Sequence, residues 1–356
     1  MSDQMDIQSH KGTYSARFRM GALAALKGDL RPDMHIVMDR RIAELYRDDL
    51  GPVLDHPSLL LLDASEETKM LERFPAYVEH LVARKIRRNH LLVAIGGGVI
   101  QDTVCFLAAT LLRGVAWRFY PTTLLAQADS CIGSKSSINC GDAKNILGTF
   151  TPPNEIFIDV SLLDTLDERD VRSGIGEMLK VHAIDGPDAF DRIAAAYEAI
   201  LVDKAAMQRF VRHALEIKKG YIEIDEFDQG PRNIFNYGHS FGHAIEAATD
   251  FAIPHGLAVT IGMDMANYVA AGSGLTPRAT FKRMHPVLRR NYAGYEDHEI
   301  PLERMLAAIA KDKKNVGDSL VLILPDEEAR LQRREVANDG TFRGLCADFL
   351  GKGRAA

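Results

Sequence analysis

At 356 residues, with 46% hydrophobic and 26% charged side chains, the chain has ordinary globular composition and room for two domains. Its formal charge of −6, without a basic stripe or a Lys/Arg run, argues against a nucleic-acid or anionic-membrane partner. No apolar stretch approaches the ~20 residues that cross a bilayer, and neither a signal pattern nor CxxC spacing is present, so the four cysteines are read as reduced thiols of a cytoplasmic protein.

In chain order, Met34–Asp39 reads as a short buried strand with a polar exit, followed by a helix through Ile42, Leu45 and Tyr46. Residues 59–63 form a second apolar strand. A helix is predicted over residues 68–90, where Leu71, Phe74, Tyr77, Val78, Leu81 and Val82 recur at helical spacing. The continuous run Leu91 to Ile95 suits a parallel strand covered on both faces; three glycines then lead into a helix over 99–112. Strands near 116–120 and 155–159 complete the alternation, the pattern of a doubly wound parallel sheet. Beyond residue 165 helical periods dominate, at 170–184, 188–218, 237–249, His255–Gly272 and 302–311, with one short strand at 319–324. The reading is a Rossmann-like α/β domain over 1–165 and a mostly α-helical domain over 166–356.

Gly96, Gly97 and Gly98 with Val99, Ile100, Gln101 and Asp102 make a strand–turn–helix junction. Such a junction lets backbone approach a phosphate at a helix N-terminus. It is not GxGxxG, since Gln101 occupies the third glycine position, and a plain tight turn explains the same residues. Asp39, at the end of an earlier strand, could accept ribose hydroxyls or simply cap a helix. Thr122, Thr123 and Asp129 precede a Gly/Ser/Asn-rich stretch containing Lys135, Lys144 and Asn145. That stretch suits anionic oxygens and equally suits a solvated loop.

The sharpest constellation is His239, His243 and His255. The first two are spaced i,i+4 and share a helix face. Imidazoles of this kind favour zinc or a similar borderline metal, and the ligand set stays open at this level. The pattern is not HExxH, because Ser240 stands where a metalloprotease carries its Glu. Glu177 lies on an apolar helix where an unpaired carboxylate would be costly, which makes it a candidate ligand.

Taken together, GGGVIQD, LLRGV, PTTLLAQADS, GSKSSIN, KNILGTF, SGIGEMLK, RNIFNYGHSFGHAIE with PHG, and AKDKKN resemble the sugar-phosphate cyclase family that includes 3-dehydroquinate synthases. The resemblance spans residues 39–314. It implies NAD and one divalent cation, Zn2+ or Co2+, held by Glu177, His239 and His255, with His243 moved to the substrate shell. For the cofactor it implies Asp39, Ser65, Glu66, Lys69, Gly97, Gly98, Val99, Asp102, Thr122, Thr123, Asp129, Lys135, Lys144, Leu162 and Thr165. Lys135, Asn145 and Lys314 (or Lys313) are implied phosphate contacts. Lys180, Lys218, Arg232, Asn236 and His243 are implied to hold the carboxylate and hydroxyls of a small phosphorylated sugar acid. Arg113 is implied to reach the neighbouring subunit's site, which implies a homodimer. The implied reaction is the phosphate-eliminating cyclisation of 3-deoxy-arabino-heptulosonate 7-phosphate to 3-dehydroquinate, with no net use of NAD and no single general base.

Three positions depart from the family pattern: Gln101 for Gly, Ser134 in the GGK-T segment, and Asp228 where Glu is usual. They leave room for a specialised cyclase of secondary metabolism, of the amino-dehydroquinate, deoxy-scyllo-inosose or valiolone type. A metal-dependent polyol dehydrogenase is the reading from another class. The cations Lys135 and Arg113, the amide of Asn145 and the Asp312-Lys313-Lys314 run speak against it, since a neutral polyol needs no phosphate cage.

Overall fold

The apolar runs become strands in the computed structural model, which describes residues 3–141, 143–312, 315 and 319–355. In chain order the first strands are β1 (Gln4–Ile7), β2 (Tyr14–Phe18), β3 (Met34–Asp39), β4 (Leu59–Leu62), β5 (Leu91–Gly96) and β6 (Ala116–Pro121). Then come β7 (Lys135–Cys140), β8 (Ala143–Phe150) and β9 (Glu155–Ile158). The chain folds as two compact units, Met1–Leu166 with Lys218–Asp228, and Asp167–Ile217 with Gln229–Ala356. A segment from the second half of the sequence therefore groups with the first unit.

In the first unit one sheet has the order β1-β2-β9-β6-β5-β3-β4. Every pairing from β2 onward is parallel, and only β1 with β2 is antiparallel. The central strands are buried on both faces, which is why they read as unbroken apolar runs instead of alternating ones. Register aligns Met38 with Ile95 and Gly96 with Pro121, so the carboxyl ends of β3, β5 and β6 share one edge. In open α/β sheets that edge is where ligands bind.

The helix predicted over 68–90 is shorter. Two 3-10 turns, Glu66–Lys69 and Leu71–Arg73, lead into Phe74–Ala83. Pro75 fits only the first turn of a helix and fixes its start. Lys85, with φ 58°, fixes its end: Ile86 N–H donates to the Leu81 carbonyl and Lys85 N–H to that of Val82, a Schellman closure. The stretch around 133–145 is not a loop but the hairpin β7–β8. Of its three buried positions only Ile138 is apolar; Ser136 and Asn139 are polar and hydrogen-bonded, as in Ser136 Oγ with Thr149 Oγ1 at 2.9 Å, so hydrophobic periodicity never revealed it.

The second unit is mostly helical, as expected. The helix expected over 188–218 is three: Pro187–Ala195, Tyr197–Val202 and Lys204–Ile224. Asp203 interrupts it by accepting the Ala205 N–H at 2.9 Å, a capping bond that starts a new helix. Helix Arg278–Asn291, strand β11 (Leu331–Ala337), which pairs with β10 (Ser319–Pro325), and helix Gly340–Gly351 had no counterpart in the sequence reading. Among the described residues no helix is long and apolar enough to cross a membrane.

Candidate active site

In the first unit, Asp39 ends β3 and caps the helix Arg40–Leu45, its Oδ1 accepting the Arg41 N–H at 3.0 Å. Burial pushes its carboxyl up. Beside it, Gly96 and Gly97 admit no side chain: a Cβ would lie 2.5 Å from Ile100 Cγ1 at the first and 2.9 Å from Thr123 Cγ2 at the second. Gly98 opens the helix Gly98–Thr110 with clear space where its Cβ would stand. Thr122 follows β6 and donates its N–H to the Gly96 carbonyl, so Gly97, Gly98, Val99, Thr122 and Thr123 form one continuous surface. Open space at an amide-rich helix start is what a pyrophosphate needs. Leu162 and Thr165 meet at Tyr46, whose hydroxyl donates to the Leu162 carbonyl and lies 2.9 Å from Thr165 Oγ1.

Glu66, Lys69, Asp102 and Asn145 belong to one polar network built around the buried side chains of Lys69 and Asn139. Lys69 Nζ lies 2.7 Å from Asp102 Oδ2 and 3.1 Å from Asn145 Oδ1. Asn139 joins the hairpin to the 3-10 turn: its Nδ2 donates to Glu66 Oε2 at 2.9 Å, and its Oδ1 accepts the Asn145 N–H. The sequence reading gave Asn139 no role. Ser65 lies in the same turn, its Oγ 3.5 Å from Thr68 Oγ1. Lys218 donates to both the carboxylate and the carbonyl of Asp129, and Lys135 pairs with Asp228. Lys144 and Arg113 are exposed; Arg113 sits in a turn where Leu112, Arg113 and Gly114 all have positive φ. Lys313 and Lys314 lie outside the described residues.

In the second unit, Glu177 is 2% exposed on helix Glu168–Asp185. Its Oε2 accepts from Lys180 Nζ. Its Oε1 has no hydrogen-bond partner among the described residues, yet lies 3.6 Å from His239 Nε2 and 3.4 Å from His255 Nε2. His239 opens helix His239–Ala248, and His255 opens helix His255–Gly272. Glycines beside each of these residues bring the backbones together. A Cβ on Gly176 would stand 2.3 Å from the Gly256 carbonyl oxygen, one on Gly256 1.9 Å from that of Ser173, and one on Gly262 2.1 Å from that of Gly238.

The remaining imidazole nitrogens are occupied. His239 Nδ1 lies 3.1 Å from the Tyr237 carbonyl, and His255 Nδ1 lies 3.3 Å from each oxygen of Glu246. With Nδ1 donating, each neutral ring turns a lone pair at Nε2 toward Glu177 Oε1. In that neutral form three acceptor atoms converge, a set that can hold a divalent cation with an open face in the place a proton on His255 Nε2 would otherwise take. The electrostatics ask for positive charge too. Burial would raise Glu177, but Lys180 and the two imidazoles hold its carboxyl well below the usual range. Burial lowers His255, but the carboxylates of Glu177 and Glu246 outweigh it and bring the group up to about 10. His239 is driven well down by burial.

His243 is also close: the imidazole nitrogens of His239, His243 and His255 lie within 4.8 Å of one another, with His243 exposed. Geometry therefore gathers four candidate donors, and Glu177 is the buried one. Of the expected substrate-binding residues in this unit, Lys180 and Arg232 are buried, and Asn236 donates to the Asn233 carbonyl at 2.8 Å. Lys180 Nζ also sits 5.5 Å over the Phe235 ring.

Residues 59–173 match the 3-dehydroquinate synthase N-terminal family, and 174–315 the 3-dehydroquinate synthase C-terminal family. A 3-dehydroquinate synthase of Cereibacter sphaeroides is 35% identical over 338 residues, covering 90% of this chain and 91% of its own. Among solved structures, 2-epi-5-epi-valiolone synthase from Streptomyces hygroscopicus, with NAD+ and Zn2+ bound, superposes with TM-score 0.83 at 28% identity over 96% of this chain and 97% of that one. A 2-deoxy-scyllo-inosose synthase complexed with carbaglucose-6-phosphate, NAD+ and Co2+ gives TM-score 0.82 at 22% identity, covering 98% and 99%.

Proposed function

This chain belongs to the 3-dehydroquinate synthase family, and we propose that it converts 3-deoxy-arabino-heptulosonate 7-phosphate to 3-dehydroquinate and inorganic phosphate, using NAD and one divalent cation, Zn2+ or Co2+. The observation that carries the reading is the convergence of Glu177 Oε1, His239 Nε2 and His255 Nε2 on one point. When bound, NAD supplies a hydride acceptor restored within each turnover, and the cation supplies Lewis acidity at a substrate oxygen.

The chain's own residues bind and orient. Gly97, Gly98 and Val99 would present amides to the cofactor pyrophosphate, and Asp39 would accept from a ribose hydroxyl. Glu66, Lys69, Asp102, Thr122, Thr123, Asp129, Lys144, Leu162 and Thr165 would complete the cofactor's surroundings. Lys135, Asn145 and Lys314 would bind the phosphate that leaves. Lys180, Lys218, Arg232, Asn236 and His243 would hold the carboxylate and ring hydroxyls, with Arg232 the natural bidentate partner for the carboxylate. A carboxylate-bearing substrate is favoured because Lys218, Arg232 and His243 all keep the family's residue type.

Arg113 would serve the site of a second copy, in a homodimer. Four unpaired cysteines fit a reducing cytoplasm, where the reaction would belong to aromatic amino acid biosynthesis. The test is stoichiometric. Incubation with substrate and catalytic NAD should release one phosphate per ring product without accumulating NADH, and a chelator should stop it. Steady NADH accumulation without phosphate would instead identify a polyol dehydrogenase.

A further inference from the structure

We infer that Glu246 is a positioning residue for the metal centre: its carboxylate takes the Nδ1–H of His255 and commits that ring to presenting Nε2 toward Glu177. The inference rests on reading Glu177, His239 and His255 as the ligands of a divalent cation. Glu246 is 9% exposed on helix His239–Ala248, two turns beyond His239 and on the same face. Both of its oxygens lie 3.3 Å from His255 Nδ1, and among the described residues His255 is its ion-pair partner. A nitrogen facing two acceptor oxygens must carry the proton, which leaves the neutral ring a lone pair only at Nε2.

The chain geometry between the two residues supports this pairing. Helix His239–Ala248 closes through Phe251 N–H donating to the Glu246 carbonyl at 2.8 Å, with Asp250 and Phe251 at φ 51° and 61°. This Schellman reversal turns the chain back so that His255, nine residues after Glu246, returns to it. The two imidazoles are therefore held differently, His239 by the neutral Tyr237 carbonyl and His255 by a full negative charge. A carboxylate partner raises the donor strength of a metal-bound imidazole as well as fixing its orientation. His255 is then the stronger of the two nitrogen ligands.

Two substitutions separate orientation from charge. Glu246→Gln keeps an acceptor oxygen and removes the charge; Glu246→Ala removes both. Full-length proteins freed of metal would be titrated with Co2+, following visible absorption, and with Zn2+ against a chromophoric chelator. Glu246→Ala should weaken Zn2+ binding about 10–100-fold and alter the Co2+ spectrum, with Glu246→Gln in between and metal-free melting temperatures unchanged. Wild-type affinity and spectrum in both variants, while Glu177→Ala and His255→Ala lose the metal, would overturn the positioning role alone. Wild-type binding by Glu177→Ala and His255→Ala would overturn the metal site and the inference with it. If Glu246→Ala fails to fold, Glu246→Gln carries the comparison.

Discussion

Gln101 and Ser130 close a two-point hydrogen bond: Gln101 Nε2 donates to the Ser130 carbonyl at 2.6 Å, and Ser130 Oγ donates to Gln101 Oε1 at 2.7 Å. The pair ties the glycine-turn helix to the π-helical turn Ala126–Ser130, the turn whose Asp129 holds Lys218. A residue that departs from the family pattern thus braces a segment that other functional candidates depend on.

Gln101→Ala removes both bonds and leaves partly buried Ser130 groups without their partners. The cost should be on the order of 1–3 kcal/mol, read as a lower melting temperature, with weaker NAD binding as the turn loosens. A melting temperature and NAD affinity equal to wild type would show that Gln101 braces nothing.

Gly256→Ala tests the packing that assembles the proposed metal site. The added methyl would stand 1.9 Å from the Ser173 carbonyl oxygen, so helix His255–Gly272 must move away from helix Glu168–Asp185. His255 is the neighbour of Gly256 and Glu177 lies one turn beyond Ser173, so metal affinity should fall by about tenfold or more. Retained affinity in a folded variant would mean that the ligands do not depend on this close approach.

The parallel sheet and the helical second unit were legible because β3 and β5 carry continuous apolar runs and the later helices carry clear 3.6-residue periods, whereas the order of the strands and the edge pair β1–β2 left no such mark. Hairpin β7–β8 was illegible because its buried Ser136 and Asn139 are satisfied by hydrogen bonds, which leave no hydrophobic signature. Of the metal candidates, His239 and His243 announced themselves by spacing, whereas Glu177 was plausible only as a carboxylate on an apolar helix. Glu246 and the carbonyl of Tyr237 were missed. The first could have been found as an acidic residue two turns beyond His239 on the same face. The second could not, since a backbone carbonyl carries no mark in the sequence. Gly176 and Gly256 each sat beside a candidate ligand, a clue to tight helix packing that spacing alone passes over.

Acid should destabilise the protein through buried neutral histidines. Burial lowers His182 to about 4, with His213 and Arg192 adding to it against the Met178 carbonyl, and burial with neighbouring histidines lowers His35 to about 4. Because the folded values lie below 6.5, the unfolded chain takes up protons first as pH falls. Stability present above pH 6.5 is therefore lost progressively down to about pH 4, by at most about 3 kcal/mol for His182. Thermal melts across this range should fall with acid, and less steeply in His182→Gln. An unchanged slope in that variant would remove His182 from the account.

Arg232→Ala separates substrate classes. Arg232 is 7% exposed, and a buried guanidinium recognises a carboxylate through paired donors. Loss of that pairing should lower kcat/KM for a carboxylate-bearing heptulosonate phosphate by about 100-fold or more, and much less for a phosphorylated sugar without the group. Equal losses for both would withdraw the carboxylate assignment and favour a neutral sugar phosphate.

Arg113 offers the test of a shared site. Its side chain is exposed in a turn of positive φ and, on the proposed reading, completes the phosphate site of a second copy. Arg113→Ala should be nearly inactive at ordinary substrate concentration through a strongly raised KM, while leaving metal binding intact, because the proposed ligands Glu177, His239 and His255 lie elsewhere in the chain. His255→Ala should be inactive for the opposite reason. When the two inactive proteins are mixed under subunit exchange, a heterodimer contains one site with an intact metal centre from one subunit and Arg113 from the other, so activity should return in proportion to heterodimer formed. Two variants that stay inactive when heterodimers are demonstrably present, or a wild-type monomer active at assay concentration, would show that Arg113 serves no partner.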